Sequence, residues 1–91
     1  MNNRLNPTER SHLERVKMLH CAVCGAEPPS EAHHIVQGQQ YTTIPLCKDC
    51  HTGSRNGIHG QKLVWAVFKK TELSCLNDTV RRLLQQNRIV K

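Results

Sequence analysis

The sequence predicts a small α+β domain stapled by a metal and flanked by helices, and three observations carry that reading. The chain has 91 residues, enough for one domain with little room for a second. Its only aromatic side chains are Tyr41, Trp65 and Phe68, so an apolar core alone would be thin. Its five cysteines and six histidines include the close pairs Cys21/Cys24, His33/His34 and Cys47/Cys50, a composition that suits a metal staple better than a disulfide framework.

The first element is a helix over 7–19. Asn6-Pro7-Thr8-Glu9 has the form of a helix start, with Asn6 as cap, Pro7 at the first helical position and Glu9 placed for a capping box. Leu13, Val16 and Leu19 or His20 supply an apolar stripe, and Arg4, Arg10, Arg15 and Lys17 surround it with positive charge. Residues 1–6 read as a polar, frayed start. Cys21-Ala22-Val23-Cys24-Gly25 follows, where the glycine permits a tight turn that aims backbone amides at the sulfurs. The prolines of Glu27-Pro28-Pro29-Ser30 mark a loop.

Residues 31–36 and 42–46 read as two short strands joined by a polar loop, a hairpin that delivers the second cysteine pair beside the first. Pro45 belongs at a sheet edge or strand end. Glycines from Gly53 to Gly60 predict at most a short, interrupted helix after His51. Residues 61–70 read as helix, with Leu63, Val64, Val67 and Phe68 on or near one face and Trp65 close by. Residues 71–76 read as a junction, and Asn77 or Asp78 as the cap of a last helix over 78–86. That helix carries Val80, Leu83 and Leu84 inward and Arg81, Arg82 and Arg88 outward, with fraying over 87–91.

Thirteen Lys and Arg against seven Asp and Glu give a formal net charge of +6. Four zinc-bound thiolates with their ion would lower it to about +4, which still suits an anionic partner such as nucleic acid, although ordinary solubility charge accounts for the same composition. The opening residues show no apolar run after a basic start, and no stretch approaches the length of a membrane span. A reducing cytoplasm with free thiols and no membrane contact is therefore the expected setting.

The spacing Cys21-x2-Cys24 … Cys47-x2-Cys50 offers four soft ligands in two pairs, the pattern of a closed, tetrahedral structural zinc. Either pair alone also fits a redox dithiol, and a four-cysteine iron–sulfur centre fits the same spacing. Cys75, among leucines, reads as a small buried hydrophobe. With the sulfurs closing one site, His33, His34, His51 and His59 ask for another explanation, although a histidine taken singly is most often a hydrogen-bonding surface residue. His33 and His34 are adjacent on a strand, so their side chains point to opposite faces or are splayed by local twist.

Taken together, Cys-x2-Cys, His-His and Ile-Pro-Leu-Cys-x2-Cys-His resemble the His-Asn-His (HNH) nucleases with the ββα-metal (His-Me finger) fold. The core of the resemblance spans residues 21–59. Gly57-Ile58-His59-Gly60, the helix with Trp65, and Thr79-Val80-Arg81-Arg82-Leu83 are similar to the bacteriophage recombination-enhancement nuclease group. The resemblance implies that His33, His51 and His59 hold a catalytic divalent ion and that His34 is the general base. It also implies DNA as substrate and products with a 5′-phosphate and a 3′-hydroxyl. The family's middle Asn falls near Thr42, which leaves the partner of His34 open.

The chemistry agrees with that assignment. Phosphodiester hydrolysis needs an activated water, a route for its proton and positive charge at the developing phosphorane; neutral imidazole suits the proton transfer. Imidazole ligands favour Mn2+, Ni2+, Co2+ or Zn2+, and Mg2+ also serves where phosphate adds hard oxygens. Arg55, and less directly Lys48 and Lys62, are placed in sequence to meet phosphates. A zinc-ribbon-like nucleic-acid-binding or adaptor module explains the cysteines and the charge but leaves the histidines unused. A toxin-type nuclease domain shares the chemistry but would need a delivery apparatus. The apolar residues of the last helices suit either a core or a subunit interface, leaving room for a homodimer or for a recombination or repair protein as partner.

Overall fold

The computed structural model describes residues 4–89, with side chains described for residues 4–86. Helix α1 (Pro7–Lys17) starts where Asn6 and Glu9 form the capping box: Asn6 Oδ1 accepts from the Glu9 amide at 2.7 Å, and the Asn6 amide donates to Glu9 Oε1 at 3.0 Å. It stops two residues short of the expected end because the chain turns there toward Cys21. Its last carbonyl and one just beyond it are met from across the fold, with Ser30 N donating to Lys17 O at 2.7 Å and Ser30 Oγ to Leu19 O at 2.6 Å. Asn6→Ala removes the side-chain half of the box, the bond from the Glu9 amide, keeps the backbone half, and is expected to cost about 1 kcal/mol. Urea denaturation of the zinc-loaded protein measures it; an unchanged midpoint would show the cap to be idle.

The hairpin pairs β1 (Glu31–His34) with β2 (Thr43–Leu46) antiparallel, with His33 opposite Ile44 and His34 opposite Thr43. Both strands are shorter than expected, because residues 35–42 turn into a loop closed by Ile35 N to Thr42 O at 3.1 Å. All four β2 residues are buried, with α1 and the last helix packed against the strand. Pro45 does lie at an edge. Its carbonyl accepts from Ala22 N at 2.8 Å, so the first cysteine loop covers the backbone that a third strand would otherwise pair.

Helix α2 (Lys48–Thr52) follows at once, with Cys47 as its cap. The next segment is a run of turns that folds tightly on itself. A Cβ on Gly57 would lie 2.5 Å from the Gly53 carbonyl oxygen, and one on Gly60 would collide with the Ser54 carbonyl oxygen. Those glycines permit the close approach that packs the segment bearing His59 against α2.

Helix α3 (Leu63–Val67) is half the expected length and presents a different face. Lys62 and Lys69, at φ 58° and 55°, bracket it with left-handed residues. Trp65 takes the core at 1% exposure, while Leu63, Val67 and Phe68 stay exposed. The indole decides this orientation: it is the largest apolar group on the helix, and its N–H donates to the Cys50 carbonyl at 3.0 Å.

The expected junction and last helix are one continuous helix, α4 (Glu72–Ile89). Thr71 and Ser74 cap each other's amides, at 3.0 Å for Ser74 N to Thr71 Oγ1 and 2.9 Å for Thr71 N to Ser74 Oγ, so Asn77 and Asp78 sit inside the helix. Asp78 instead meets Lys70 at 3.4 Å and Arg81 at 3.5 Å; these two cations outweigh partial burial and hold its carboxyl below its usual range. The buried face is Cys75, Thr79 and Leu83, while Val80 and Leu84 face outward. Arg81 is exposed and Arg82 caps the His20 carbonyl at 3.0 Å. The orientation expected for Arg88 lies outside the described side chains. Of the frayed ends expected at 1–6 and 87–91, residues 1–3 and 90–91 lie outside the described residues; where the ends are described, Asn6 caps α1 and α4 stays helical through Ile89 rather than fraying from 87.

The main core joins Cys21, Val23, Ile44, Leu46, Trp65 and Cys75, and a second cluster joins Val16, Leu19 and Leu83. The result is a small mixed α+β domain in which the hairpin, α2 and the start of α4 converge. No helix among the described residues is long and apolar enough to cross a membrane.

Candidate functional site

The thiols of Cys21, Cys24, Cys47 and Cys50 lie within 4.8 Å of one another. Two local devices bring them there. Gly25, at φ 80°, lets the first loop close with Gly25 N to Cys21 O at 2.9 Å. In α2 the Cys50 amide points at Cys47 Sγ at 3.4 Å. The 3.7 Å between Cys24 Sγ and Cys47 Sγ matches the roughly 3.8 Å edge of a tetrahedron with zinc–sulfur bonds of about 2.3 Å. Electrostatics point the same way. Burial raises the Cys21 thiol, but the amides of Cys24, Cys47 and Val23 outweigh it and bring it down to about 7. Burial and the neighbouring sulfurs push Cys50 far up. Four thiols this close cannot ionise together without a cation among them. Cys75 stands apart, fully buried and held up at about 11 mainly by burial.

A second cluster forms from His33, His51 and His59, whose ring nitrogens also come within 4.8 Å of one another. Each comes from a different element: His33 from β1, His51 from the last turn of α2, and His59 from the glycine-bounded turns. His33 Nδ1 faces His51 Nε2 at 3.2 Å. The opposite nitrogen of each ring is held by a carboxylate, His33 Nε2 donating to Glu72 Oε2 at 2.7 Å and His51 Nδ1 donating to Glu31 Oε1 at 2.8 Å. Those bonds put the protons on the outer nitrogens, leaving two lone pairs directed at each other. Without a cation that contact is repulsive. With one, it is the roughly 3.3 Å separation of two imidazoles on a tetrahedral ion with metal–nitrogen bonds of about 2.0–2.1 Å. Burial lowers the His33 pKa, as do the neighbouring His51 and His59, while Glu72 opposes them. A neutral ring is the form that ligates.

His34 stays out of the triad, as alternation along β1 requires, and its Nε2 lies 2.7 Å from Gln40 Oε1. It nevertheless lines the same cleft, of about 530 Å³, as His33, His51, His59, Lys62 and Glu72. It also lines a second cleft of about 530 Å³ on its other side, with Arg4, Leu13, Gln37 and Gln40. Of the three cations expected to meet phosphates, Lys62 lines the triad cleft; Arg55 and Lys48 are exposed outside that lining. Thr42 braces the hairpin loop through the Gln39 carbonyl at 3.2 Å.

Three site residues escaped sequence reasoning. Glu31 had a usable signal, because it lies two residues before His33 and so shares its strand face. Glu72 was hidden by reading 71–76 as a junction, which left the first turn of α4 with no defined direction. Gln40 looked like polar loop filler. Glu72→Gln is expected to weaken divalent-ion binding at the triad about 10- to 100-fold, the usual effect of losing the carboxylate behind a ligand histidine, and to leave zinc content unchanged. Mn2+ titration by calorimetry checks this; unchanged affinity would remove Glu72 from the site.

No protein-family model matches the chain, and no curated protein or solved structure matches it either. Its functional reading therefore rests on the residues and their geometry: a four-cysteine cluster and a separate histidine triad, each with the spacing of a metal site.

Proposed function

We propose that this chain is a metal-dependent DNA endonuclease of the HNH type, with a ββα-metal core, a structural zinc on Cys21, Cys24, Cys47 and Cys50, and a catalytic divalent ion on His33, His51 and His59. The observation that carries the reading is His34: an imidazole outside a three-imidazole cluster yet lining the same cleft. A purely structural metal would need no such neighbour. The non-enzymatic zinc-ribbon-like module accounts for the four sulfurs and the charge but gives no work to the triad or to the two carboxylates behind it.

In this reading a strand of DNA lies across the cleft with the scissile phosphate at the triad. Lys62, on the rim, pairs with phosphate oxygens and favours backbone binding over sequence readout. Glu72 and Glu31 fix the rings of His33 and His51 so that their lone pairs converge. His34 takes the proton from the attacking water. A bound divalent ion supplies Lewis acidity at the phosphate and charge for the departing 3′-oxygen. The products carry a 5′-phosphate and a 3′-hydroxyl. The donor set suits Mn2+, Ni2+, Co2+ or Zn2+, with Mg2+ workable through phosphate oxygens. A phage or prophage role in recombination or repair in the cytoplasm, with a homodimer or a recombination protein supplying the targeting, fits the resemblance to the recombination-enhancement nucleases.

The test is nicking of supercoiled plasmid by zinc-loaded protein with added Mn2+ or Mg2+, alongside single-stranded and branched DNA. Cleavage that needs the added ion and stops with its removal is expected. Tight DNA binding without cleavage under any ion would favour the non-enzymatic module.

A further inference from the structure

The side chain that meets His34 is Gln40, and its setting is ordered. The Gln40 carbonyl accepts the Thr43 hydroxyl at 3.1 Å, and the pairing of Ile35 with Thr42 closes the loop behind it. From that anchored backbone the amide oxygen reaches Nε2 at 2.7 Å, the short end of the N–H···O range. An amide oxygen only accepts. Nε2 therefore carries the proton, and Nδ1 keeps the lone pair. Gln40 lines the second cleft but not the triad cleft, whereas His34 lines both. The tether therefore holds the ring from the side away from the triad.

A contrast in partners supports this. The two triad histidines with a fixed outer nitrogen, His33 and His51, are each backed by a carboxylate, which makes the inner nitrogen a better ligand. His34 is backed by a neutral amide. An amide orients the ring without trapping the imidazolium as an ion pair, so the ring can return its proton to solvent after each turnover.

We propose that Gln40 is a positioning residue that holds His34 in the Nε2–H tautomer and makes Nδ1 the atom that receives the proton; this rests on the nuclease reading. The attacking water gives one proton to Nδ1, and its oxygen forms the new bond to phosphorus. The bond from phosphorus to the 3′-oxygen breaks, and that oxygen leaves with the electron pair and takes a proton from solvent. The imidazolium keeps its Nε2–H bond to Gln40 Oε1 throughout.

Two measurements on the zinc-loaded full chain test the assignment. Long-range proton–nitrogen correlation spectra report the His34 tautomer directly, and steady-state nicking with Mn2+ separates kcat from KM. Wild type is expected to show the Nε2–H form. Gln40→Met, of similar length but without the acceptor, gives mixed tautomers and lowers kcat about 10- to 100-fold at unchanged KM, less than the roughly 10²–10⁴ contributed by the base itself. Gln40→Glu, which restores an acceptor but adds a charge that holds the imidazolium, recovers the Nε2–H form and only part of kcat. An Nδ1–H tautomer in wild type, as would follow if the amide nitrogen faced Nε2, overturns the proposal. So does a Gln40→Met protein that keeps both the tautomer and kcat. If no version of the protein nicks DNA, the nuclease reading fails, and the spectra still decide whether Gln40 sets the tautomer.

Discussion

His34→Ala is expected to abolish detectable nicking while zinc content, fold and DNA affinity stay at wild-type values. Positioned general bases contribute about 10²–10⁴ in rate, enough to take a modest nuclease below detection in a plasmid assay. The structural consequences are small. His34 is half-buried on a strand whose backbone pairing with Thr43 does not depend on the ring, and the ring's one hydrogen bond given by the geometry is to Gln40. Loss of that bond is worth about 1 kcal/mol, well inside the stability of a folded domain. Comparison with His33→Ala and His51→Ala sharpens the result. Those variants lose a ligand, so their nicking recovers in part as the Mn2+ concentration rises. The His34→Ala defect does not respond to added ion, because ion affinity was never what it lacked. A clean His34→Ala preparation that cleaves at the wild-type rate would remove His34 from the base role and with it the observation on which the nuclease reading stands.

The parts of this fold that were legible in the sequence were those with short-range chemistry. Asn6, Pro7 and Glu9 announced a capped helix because the whole capping box lies within four residues. The two cysteine pairs and the histidine pair declared their clusters because ligand chemistry needs few residue types at close spacing, and the hairpin then has only one way to bring Cys47 and Cys50 to Cys21 and Cys24. What stayed hidden was set by tertiary competition. The faces of the last two helices were misjudged because apolar residues occur all around them. Trp65 excluded Leu63, Val67 and Phe68 from the core through its size and its bond to the Cys50 carbonyl. Asn77 and Asp78 resembled a cap, but Thr71 and Ser74 cap the helix six residues earlier than Asn77, through hydroxyls that reciprocate each other's amides. That early start matters for the site, because it is what places Glu72 behind His33. No local pattern pairs residues 39 positions apart.

Stripping the zinc proposed for the four-cysteine cluster is expected to unfold the domain and remove all nicking, and added Mn2+ will not restore it. Structural zinc contributes about 10–16 kcal/mol of apparent binding free energy in small zinc domains, comparable to or larger than the roughly 5–15 kcal/mol stability of a whole domain. Here the main core runs directly through the ligands, since Cys21 and Cys50 are among its most buried members beside Ile44, Leu46 and Trp65. In the nuclease reading proposed above, the catalytic side depends on the same residues. His51 follows Cys50 in a five-residue helix capped by the Cys47 sulfur, and its ring reaches His33 only while that helix stays seated against the hairpin. Trp65 reports the event from within, because the chain's one tryptophan is buried and hydrogen-bonded to the Cys50 carbonyl. A thiol-competent chelator should therefore shift Trp65 emission to the red and abolish nicking over the same range of free zinc, and Cys50→Ala should show both changes before any chelator is added. Restoring one equivalent of zinc to the chelated wild type should recover both signals. Activity that survives with Trp65 exposed, or that returns with Mn2+ alone, would mean that the histidine triad assembles without the cysteine cluster and that the link from Cys50 to His51 carries no catalytic weight.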